Sequence, residues 1–344
     1  MDSLYAELCQ KGAEYADNKT FIITMIAKCT LALVSCLSFV FVYYHQRLIS
    51  IFHANTRLIL KFHIAFVFIG LCGILFGDGF NVLRLTVIRW FHRDKPCPVP
   101  PLSPYFFFCR LLNLIGSTGS TYSATAWALE RIYATIFIAS YEKRKNCLGW
   151  GLCAVMLIAT TAGTIVRIAL ADFSKPTPLV MITGTSYQYN VMEMNVGAGL
   201  EIYNLLTFCV LYVVNWRRQR KIALIQYPLT YKYQLRENFL ATSLIFPLEL
   251  LHCVTYLPIA VLIPFIANRN LTQLQRTVLY TVTDWIVVYY VALPLMLWWR
   301  NGVNRKSVRR LNEDNLIGEK YAKERRKGTM ETDRYFAMFR QMVA

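Results

Sequence analysis

Ionisable side chains are rare inside the long apolar stretches of this sequence, and each one found there is a candidate for chemistry. Placing a charged side chain at the centre of a helix in hydrocarbon costs about 2.5 to 3.5 kcal/mol on insertion scales, so such a residue needs a partner or a ligand. Four stretches supply Arg110, Arg167, Glu201 and Asp284. We predict that these four line a polar cavity; ion pairs between helices, or side chains that reach the membrane interface, are the alternative.

Aromatic side chains at a similar depth could line the same cavity and bind an apolar or amphipathic molecule. Of these we assign Tyr256 and Trp285 to the predicted ligand site, together with the four charged residues. Packing within the protein, or anchoring at a membrane interface, is the other reading of such residues.

Enzyme chemistry finds little support in the motifs. The five histidines form no HExxH pattern, and the sequence has no paired-aspartate motif and no GxSxG. Glu249 and His252 are three residues apart, share a helix face and could hydrogen-bond a neighbour. We therefore predict no enzyme activity, no metal site and no cofactor.

An adjacent acid and base, Glu130 and Arg131, lie at the end of the third apolar stretch, with Tyr133 just beyond. An arginine that Glu130 holds in one state and releases in another would be a two-state element of the kind that signalling requires. We predict that this group is a conformational switch.

The composition indicates a membrane protein. Charged residues make up 17% of the chain and hydrophobic residues 56%, whereas a soluble domain has about 25% charged residues. Each apolar stretch is long enough to cross roughly 30 Å of hydrocarbon as a helix. The predicted spans are Phe21–Tyr44, Leu58–Phe80, Tyr105–Ile138, Cys147–Ala171, Met194–Trp216, Phe239–Ile266 and Thr277–Trp299.

The fold class that follows is all-α, a seven-transmembrane helix bundle. We divide the chain into an extracellular N-terminus (1–20), the bundle (21–299) and a basic cytoplasmic tail (300–344). The formal net charge of +17 is concentrated in the alternate loops and the tail, as expected for segments on the cytoplasmic side and in contact with lipid headgroups. Nucleic-acid binding is then not needed to explain the charge. Without the tail, the loop charges favour this orientation by only 11 to 9.

Two glycosylation sequons, at Asn18 and Asn270, fall on the predicted outer side. Most of the ten cysteines lie in apolar stretches, where they behave as small hydrophobic residues. Three would face an oxidising exterior, Cys9, Cys97 and Cys109, and an odd number cannot all pair within one chain. Of these we predict a disulfide between Cys97 and Cys109.

The chain resembles a seven-transmembrane G-protein-coupled receptor, because seven apolar stretches and the Glu130-Arg131 pair occur together. More closely, 130–135, 141–143 and 233–238 are similar to nematode serpentine chemoreceptors of class epsilon, in the Sra superfamily. The resemblance implies a plasma-membrane receptor of sensory neurons, with sensory cilia as a location. It also implies detection of a small environmental molecule, signalling to a heterotrimeric G protein, and a lock role for Glu130 and Arg131.

Departures from the rhodopsin-like pattern favour a divergent receptor class. The seventh stretch has Pro294 but no Asn-Pro-x-x-Tyr, and 172–193 contains no cysteine that could pair with the third stretch. The alternative from another class is a seven-helix transporter or ligand-gated channel. A transporter should show an internal repeat or broken helices, and a channel of the insect odorant type would reverse the sides of the basic segments.

Overall fold

The computed structural model describes residues 3–45, 53–141, 147–174, 176–180, 187–222, 229–267 and 269–299. The predicted tail, 300–344, lies outside these residues. The chain divides into two units at Met296 and Leu297, and of the second unit only 297–299 are described. The described residues of the first unit are all-α, as predicted, apart from loops and one isolated antiparallel bridge between Leu102 and Thr177.

Ten helices make up the described residues. They are α1 (Ser3–Asp17), α2 (Lys19–His45), α3 (Ala54–Phe91), α4 (Phe107–Ile136), α5 (Ile138–Tyr141), α6 (Cys147–Ala169), α7 (Tyr187–Ile222), α8 (Leu229–Ala267), α9 (Gln273–Thr283) and α10 (286–299). A single 3-10 turn, Pro104–Phe106, precedes α4. Three prolines lie inside α8 without ending it.

Six segments are long and apolar enough to cross a membrane. These are Lys19–Val42, Ala54–Phe91, Cys147–Ala169, Gln188–Lys221, Gln234–Phe265 and Gln273–Trp299. They correspond to six of the seven predicted spans. The remaining prediction, Tyr105–Ile138, is helical from Phe107 to Ile136 but is too polar to belong to this group, so its crossing stays a prediction.

The helix α3 continues past the predicted end of the second span at Phe80. Apolar residues go on at helical spacing, including Val82 and Leu85, so the hydrogen-bonded helix persists to Phe91. Two π-helical segments interrupt its α-geometry, Ile74–Asp78 and Arg84–Ile88. Such insertions rotate the side chains that follow them and are frequent at functional sites.

Close contact between α3 and α4 places α4 in the middle of the bundle, where it also contacts α6, α7 and α8. Glycines permit this approach. A Cβ atom on Gly116 would lie 2.3 Å from the Cα of Gly70, and one on Gly73 would lie 2.1 Å from the backbone nitrogen of Asn113. Small residues allow membrane helices to pack backbone against backbone, so the polar face of α4 is covered by its neighbours.

One end of the bundle, which we call the α1 end, is closed by α1 and two loops. The first loop joins α3 to α4, and the second joins α6 to α7. Tyr15 of α1 packs with Phe21, Met25, Leu85 and Val99 in one apolar cluster. Burial raises the pKa of the Tyr15 phenol, which therefore stays protonated, and its hydroxyl lies 3.2 Å from Thr277 Oγ1. The opposite end, where α3 and α8 begin, is called the distal end.

Arg84, at the second π-helical segment, ties the two loops of the α1 end together. Its guanidinium donates to the carbonyl oxygen of Pro100 at 2.6 Å and to that of Pro178. The backbone bridge between Leu102 and Thr177 joins the same two loops. The carboxamide oxygen of Asn81 accepts from the Val180 backbone at 3.2 Å, so the second loop is held over the helices.

The disulfide differs from the one predicted. Cys97 is bonded to Cys9, with their Cα atoms 5.5 Å apart, and Cys109 is a free thiol. The predicted pair of Cys97 and Cys109 is therefore wrong. Cys109 lies half-buried in the first turn of α4, whereas α1 lies against the loop that carries Cys97, with Gly12 next to Val99.

Replacing Cys97 with Ser should lower the free energy of unfolding by about 2–4 kcal/mol, since the bond closes a loop between residues 88 positions apart. Cys9→Ser should have the same effect, and Cys109→Ser should have little. Thermal unfolding of the detergent-purified protein measures this, and mass spectrometry of non-reduced peptides identifies the pair. A peptide linking Cys97 to Cys109 would contradict the structure.

Candidate functional site

A cavity of about 410 Å³ opens between the helices at the α1 end. This volume is within the range of about 300–1,000 Å³ typical of small-molecule sites. Its walls come from α2, α3, α4, α7, α8, α9 and the start of α10, and Leu179 and Val180 of the overlying loop also line it. Most of the lining is apolar; four of its five charged side chains form one cluster, and the fifth is Arg276 of α9.

The cavity cluster consists of Lys28, Asp78, Arg110 and Asp284, each from a different helical segment. Lys28 Nζ lies 2.7 Å from Asp284 Oδ2 and 3.6 Å from Asp78 Oδ2. Arg110 lies 3.5 Å from Asp78 and 4.0 Å from Asp284. Two cations thus face two carboxylates, which is the arrangement that makes buried charges tolerable away from water.

The backbone explains how two of these carboxylates reach the cavity. Asp78 ends the first π-helical segment of α3. Asp284 lies where α9 stops and α10 has not begun, with extended backbone angles of φ −78° and ψ 91°. Both acids therefore sit at interruptions of regular helix geometry, at the ends of α9 and of a π segment.

Of the six residues predicted to bind ligand, Arg110, Asp284 and Tyr256 line this cavity. Tyr256 is buried on α8, and its hydroxyl contacts Met194 Sδ at 3.7 Å. Trp285 does not line the cavity; its side chain is 39% exposed. Asp284 and Trp285 are neighbours in the break between α9 and α10, and of the two only Asp284 lines the cavity.

Arg167 and Glu201 lie in two separate polar groups. Arg167 forms an ion pair with Glu193 and donates to Thr118 Oγ1 at 3.0 Å, joining α6, α7 and α4. Glu201 Oε2 lies 3.0 Å from His252 Nδ1. Both residues therefore pair between helices, which was the alternative to a place in the ligand cavity.

The group around Glu201 forms the middle of the bundle. His252 Nε2 lies 3.0 Å from Ser120 Oγ, and Ser123 donates to the Ser120 carbonyl at 2.8 Å. His63 bridges Ser123, at 2.7 Å, and the hydroxyl of Tyr289, at 2.6 Å. The Tyr256 ring is stacked on His252 with centroids 5.9 Å apart, so this central group touches the wall of the cavity.

The switch predicted at Glu130 and Arg131 is a buried network at the distal end. Arg131 Nε donates to Glu130 Oε2 at 2.5 Å. A second guanidinium nitrogen donates to Thr56 of α3 at 2.7 Å, and a third to Asn238 of α8 at 3.1 Å. The arginine therefore holds three helices together.

Tyr141 of α5 completes this distal network. Burial raises the pKa of its phenol, and the nearby Glu130 carboxylate adds to the effect, so the hydroxyl keeps its proton and donates to Glu130. Tyr133, the third predicted switch residue, is half-buried and contacts Phe137 and Tyr141 through its ring, with centroid distances of 4.7 and 6.3 Å.

Further amides and hydroxyls extend the distal network to α7. Asn238 donates to Thr135 Oγ1 at 2.9 Å, and Asn215 donates to Thr242 Oγ1 at 3.3 Å. Arg218 donates to the Thr135 carbonyl at 2.6 Å. A small cleft of about 30 Å³ lies beside Arg131, between α4, α5 and α8.

The sequence interpretation missed Lys28 and Asp78 as site residues. The signal was present, because each is a charged residue inside a predicted span. By contrast, nothing in the spacing identified Thr56 or Asn238 as partners of Arg131, since uncharged polar residues are common in membrane helices.

The two sequons lie at the α1 end. Asn18 joins α1 to α2, is half-buried, and its carboxamide oxygen accepts from the Phe21 backbone at 3.0 Å. Asn270 is exposed in the turn before α9. Among the described residues, no group of three or more His, Cys, Asp or Glu is placed to hold a metal ion.

Lys28→Met should destabilise the bundle by about 3–5 kcal/mol, because it leaves Asp284 buried with a weaker partner. Adding Asp284→Asn should recover a large part of that loss, since the second change removes the unpaired charge. Surface expression and thermal unfolding of the single and double variants measure the coupling. Lys19→Met, in an exposed position of the same helix, is the matched control and should be neutral. Equal losses at Lys19 and Lys28 would contradict the assignment.

Comparison with known proteins identifies the family. Residues 6–344 match the profile described as serpentine type seven-transmembrane G-protein-coupled receptor, class ab chemoreceptor. No match was found among curated proteins. The resemblance to nematode serpentine chemoreceptors is confirmed, but class epsilon is not, since the matching profile is that of class ab. The family is one of receptors and not of enzymes, and its members are membrane proteins. The chain therefore belongs to the class ab serpentine chemoreceptors.

Proposed function

We propose that this receptor binds a small environmental molecule in the cavity at the α1 end and signals to a heterotrimeric G protein at the distal end. The main support for this proposal is that one helix, α4, carries both Arg110, which lines the cavity, and Arg131, which belongs to the distal network. A ligand that binds one arrangement of α4 better than another shifts the balance between them. Membership of a receptor family favours this function over a transporter or a ligand-gated channel.

The topology we propose has seven crossings, with the N-terminus extracellular and the C-terminus cytoplasmic. The crossing that we add to the six apolar segments is α4, the third in chain order. Its polar residues face neighbouring helices instead of lipid. The disulfide at the α1 end supports this orientation, because such bonds form in oxidising compartments. Basic residues, including Arg217 and Arg218, lie near the distal end of α7, as the positive-inside rule expects.

We propose the same division as from the sequence: an extracellular N-terminus (1–20), the helix bundle (21–299) and a cytoplasmic tail (300–344). The basic residues of the tail would lie near anionic lipid. We place the receptor in the plasma membrane, in the sensory cilia of neurons.

The distal network is the proposed switch, made of Glu130, Arg131 and Tyr133 with the partners of Arg131. In the described arrangement Arg131 is bonded to α3 and α8 and is inaccessible to a protein partner. Release of Asn238 would allow α8 to move away from α4 and open the cleft beside Arg131. The G protein would then enter at that cleft.

Arg131→Ala should abolish the ligand-evoked G-protein response of the receptor molecules that reach the cell surface, because the contact with the G protein is lost. Glu130→Gln should raise basal signalling several-fold, since it weakens the ion pair that holds Arg131. A second-messenger assay in heterologous cells, run with a panel of small volatile and water-soluble compounds, measures both.

The matched control for these variants is Leu129→Ala, an exposed residue on the same turn of α4, which should respond normally. A response that survives in Arg131→Ala would overturn the switch assignment.

Asn270 should carry an N-linked glycan, because it is exposed and precedes Leu271-Thr272 at the proposed outer side. Asn270→Gln should remove a shift in gel mobility that an endoglycosidase also removes. Modification of a sequon introduced into the 300–344 tail, with none at Asn270, would contradict the topology.

A further inference from the structure

Two buried oxygen atoms of residues in the cavity wall have no hydrogen-bond donor among the described residues. They are Oδ2 of Asp78, on α3, and Oδ1 of Asn113, on α4. Asp78 is 6% exposed and Asn113 is 4% exposed. Buried polar atoms in proteins normally have a hydrogen-bond partner. These two acceptors therefore mark a place where a donor from outside the chain would be bound.

The two acceptors come from parts of α3 and α4 that are packed closely together. A Cβ atom on Gly73 would lie 2.1 Å from the backbone nitrogen of Asn113. One turn further along α3, a Cβ atom on Gly77 would lie 3.7 Å from the carbonyl oxygen of Cys109. Asp78 follows Gly77 directly, so the same pair of adjoining helices carries both acceptors.

The charges beside these acceptors are balanced, because Lys28 and Arg110 face Asp78 and Asp284. A cationic ligand at Asp78 would meet two like charges, since Lys28 lies 3.6 Å from Oδ2 and Arg110 lies 3.5 Å from Oδ1. An ionised carboxylate has acceptors only and would leave both oxygens without a donor. A neutral group that donates a hydrogen bond meets neither difficulty.

A hydroxyl group suits this part of the wall because it both donates and accepts. Arg110 lies three residues before Asn113 on α4, and side chains at that spacing are neighbours on a helix. The contacts of Arg110 with the two carboxylates are long, 3.5 and 4.0 Å, and a guanidinium has five N–H donors. One hydroxyl can thus accept from Arg110 and donate to Asn113.

The rest of the cavity suits a hydrocarbon group. Met25, Leu114, Met194, Ile259 and Ile263 line it from four helices. Methionine adapts its shape to different apolar partners. An occupant that fills the cavity therefore combines one neutral polar head with an apolar body.

We propose that the ligand is a small, neutral, amphipathic molecule whose polar head donates a hydrogen bond, as an aliphatic alcohol does. The head donates to Asn113 Oδ1 and accepts from Arg110, and Asp78 Oδ2 is the acceptor for a second donor on the same head. The apolar chain lies against Met25 and Met194. This inference rests on the proposed role of the cavity as the ligand site.

The test uses the full chain in lipid nanodiscs and primary alcohols of four to ten carbons. Each alcohol is compared with the methyl ether of the same molecular formula, whose oxygen accepts but cannot donate, and with the carboxylate and the ammonium compound of the same chain length. Thermal stabilisation as a function of concentration gives an apparent Kd. We expect at least one alcohol to bind about tenfold more tightly than its isomeric ether and than both ions.

Asn113→Leu removes the acceptor and should reduce the preference for the alcohol over the ether from about tenfold to about twofold or less. Asn204→Leu is the matched control and should keep the preference. Asn204 is also buried and also has a carboxamide oxygen without a partner among the described residues, but it does not line the cavity. Because alcohols and ethers dissolve in lipid, all variants are compared in identical nanodiscs.

The comparison of alcohol with ether in the unchanged chain decides the matter even if Asn113→Leu does not fold. Four results would overturn the inference: no stabilisation by any alcohol, equal binding of the ethers, tighter binding of the carboxylate or the ammonium compound, or an alcohol preference that Asn113→Leu leaves unchanged. The proposed receptor function fails differently. If alcohols bind in the Asn113-dependent manner but evoke no G-protein response, the ligand class stands and the signalling role is lost.

Discussion

The ion pair between Lys28 and Asp284, 2.7 Å from Nζ to Oδ2, joins the helix α2 to the break between α9 and α10. Both side chains are buried, so neither charge is stable without the other. Asp78 and Arg110 add α3 and α4 to the same cluster. The helices that surround the cavity are thus linked by charge at one place in its wall.

The helix α4 connects the parts of the molecule that binding and signalling would use. Arg110 and Arg131 are 21 residues apart on it, or about 30 Å along a regular helix. Between them, Ser120 and Ser123 bond to the central group through His252 and His63. Since Gly116 and Gly70 bring α4 and α3 into backbone contact, the two helices have little freedom to move separately. The cavity wall and the partners of Arg131, Thr56 and Asn238, are therefore joined through one helix, which is the connection that the proposed coupling requires.

Hydropathy and charge predicted the helical class, the pairing of Glu130 with Arg131 and seven spans, six of which are long apolar helices in the structure, because these properties are local in sequence. Asp284 and Arg110 were identified because a charge inside an apolar stretch is visible without knowledge of packing. The association of Arg167 with Glu193, and of Cys9 with Cys97, depends on which helices are neighbours, and periodicity does not specify that. Trp285 was assigned to the cavity wrongly, since which side chain lines a cavity beside a break in a helix cannot be read from hydropathy.

The separation of 256 residues between Lys28 and Asp284 has a consequence for how the protein is made. At about 5–20 residues per second, Asp284 emerges from the ribosome roughly 10 to 50 s after Lys28. During that interval the first membrane helix carries a lysine in hydrocarbon without its final partner, an unfavourable state. Asp78 arrives only 50 residues after Lys28 and already lies 3.6 Å from it in the finished protein. It is placed to act as an interim partner, so that the translocon can release the first helices before the last ones have been synthesised.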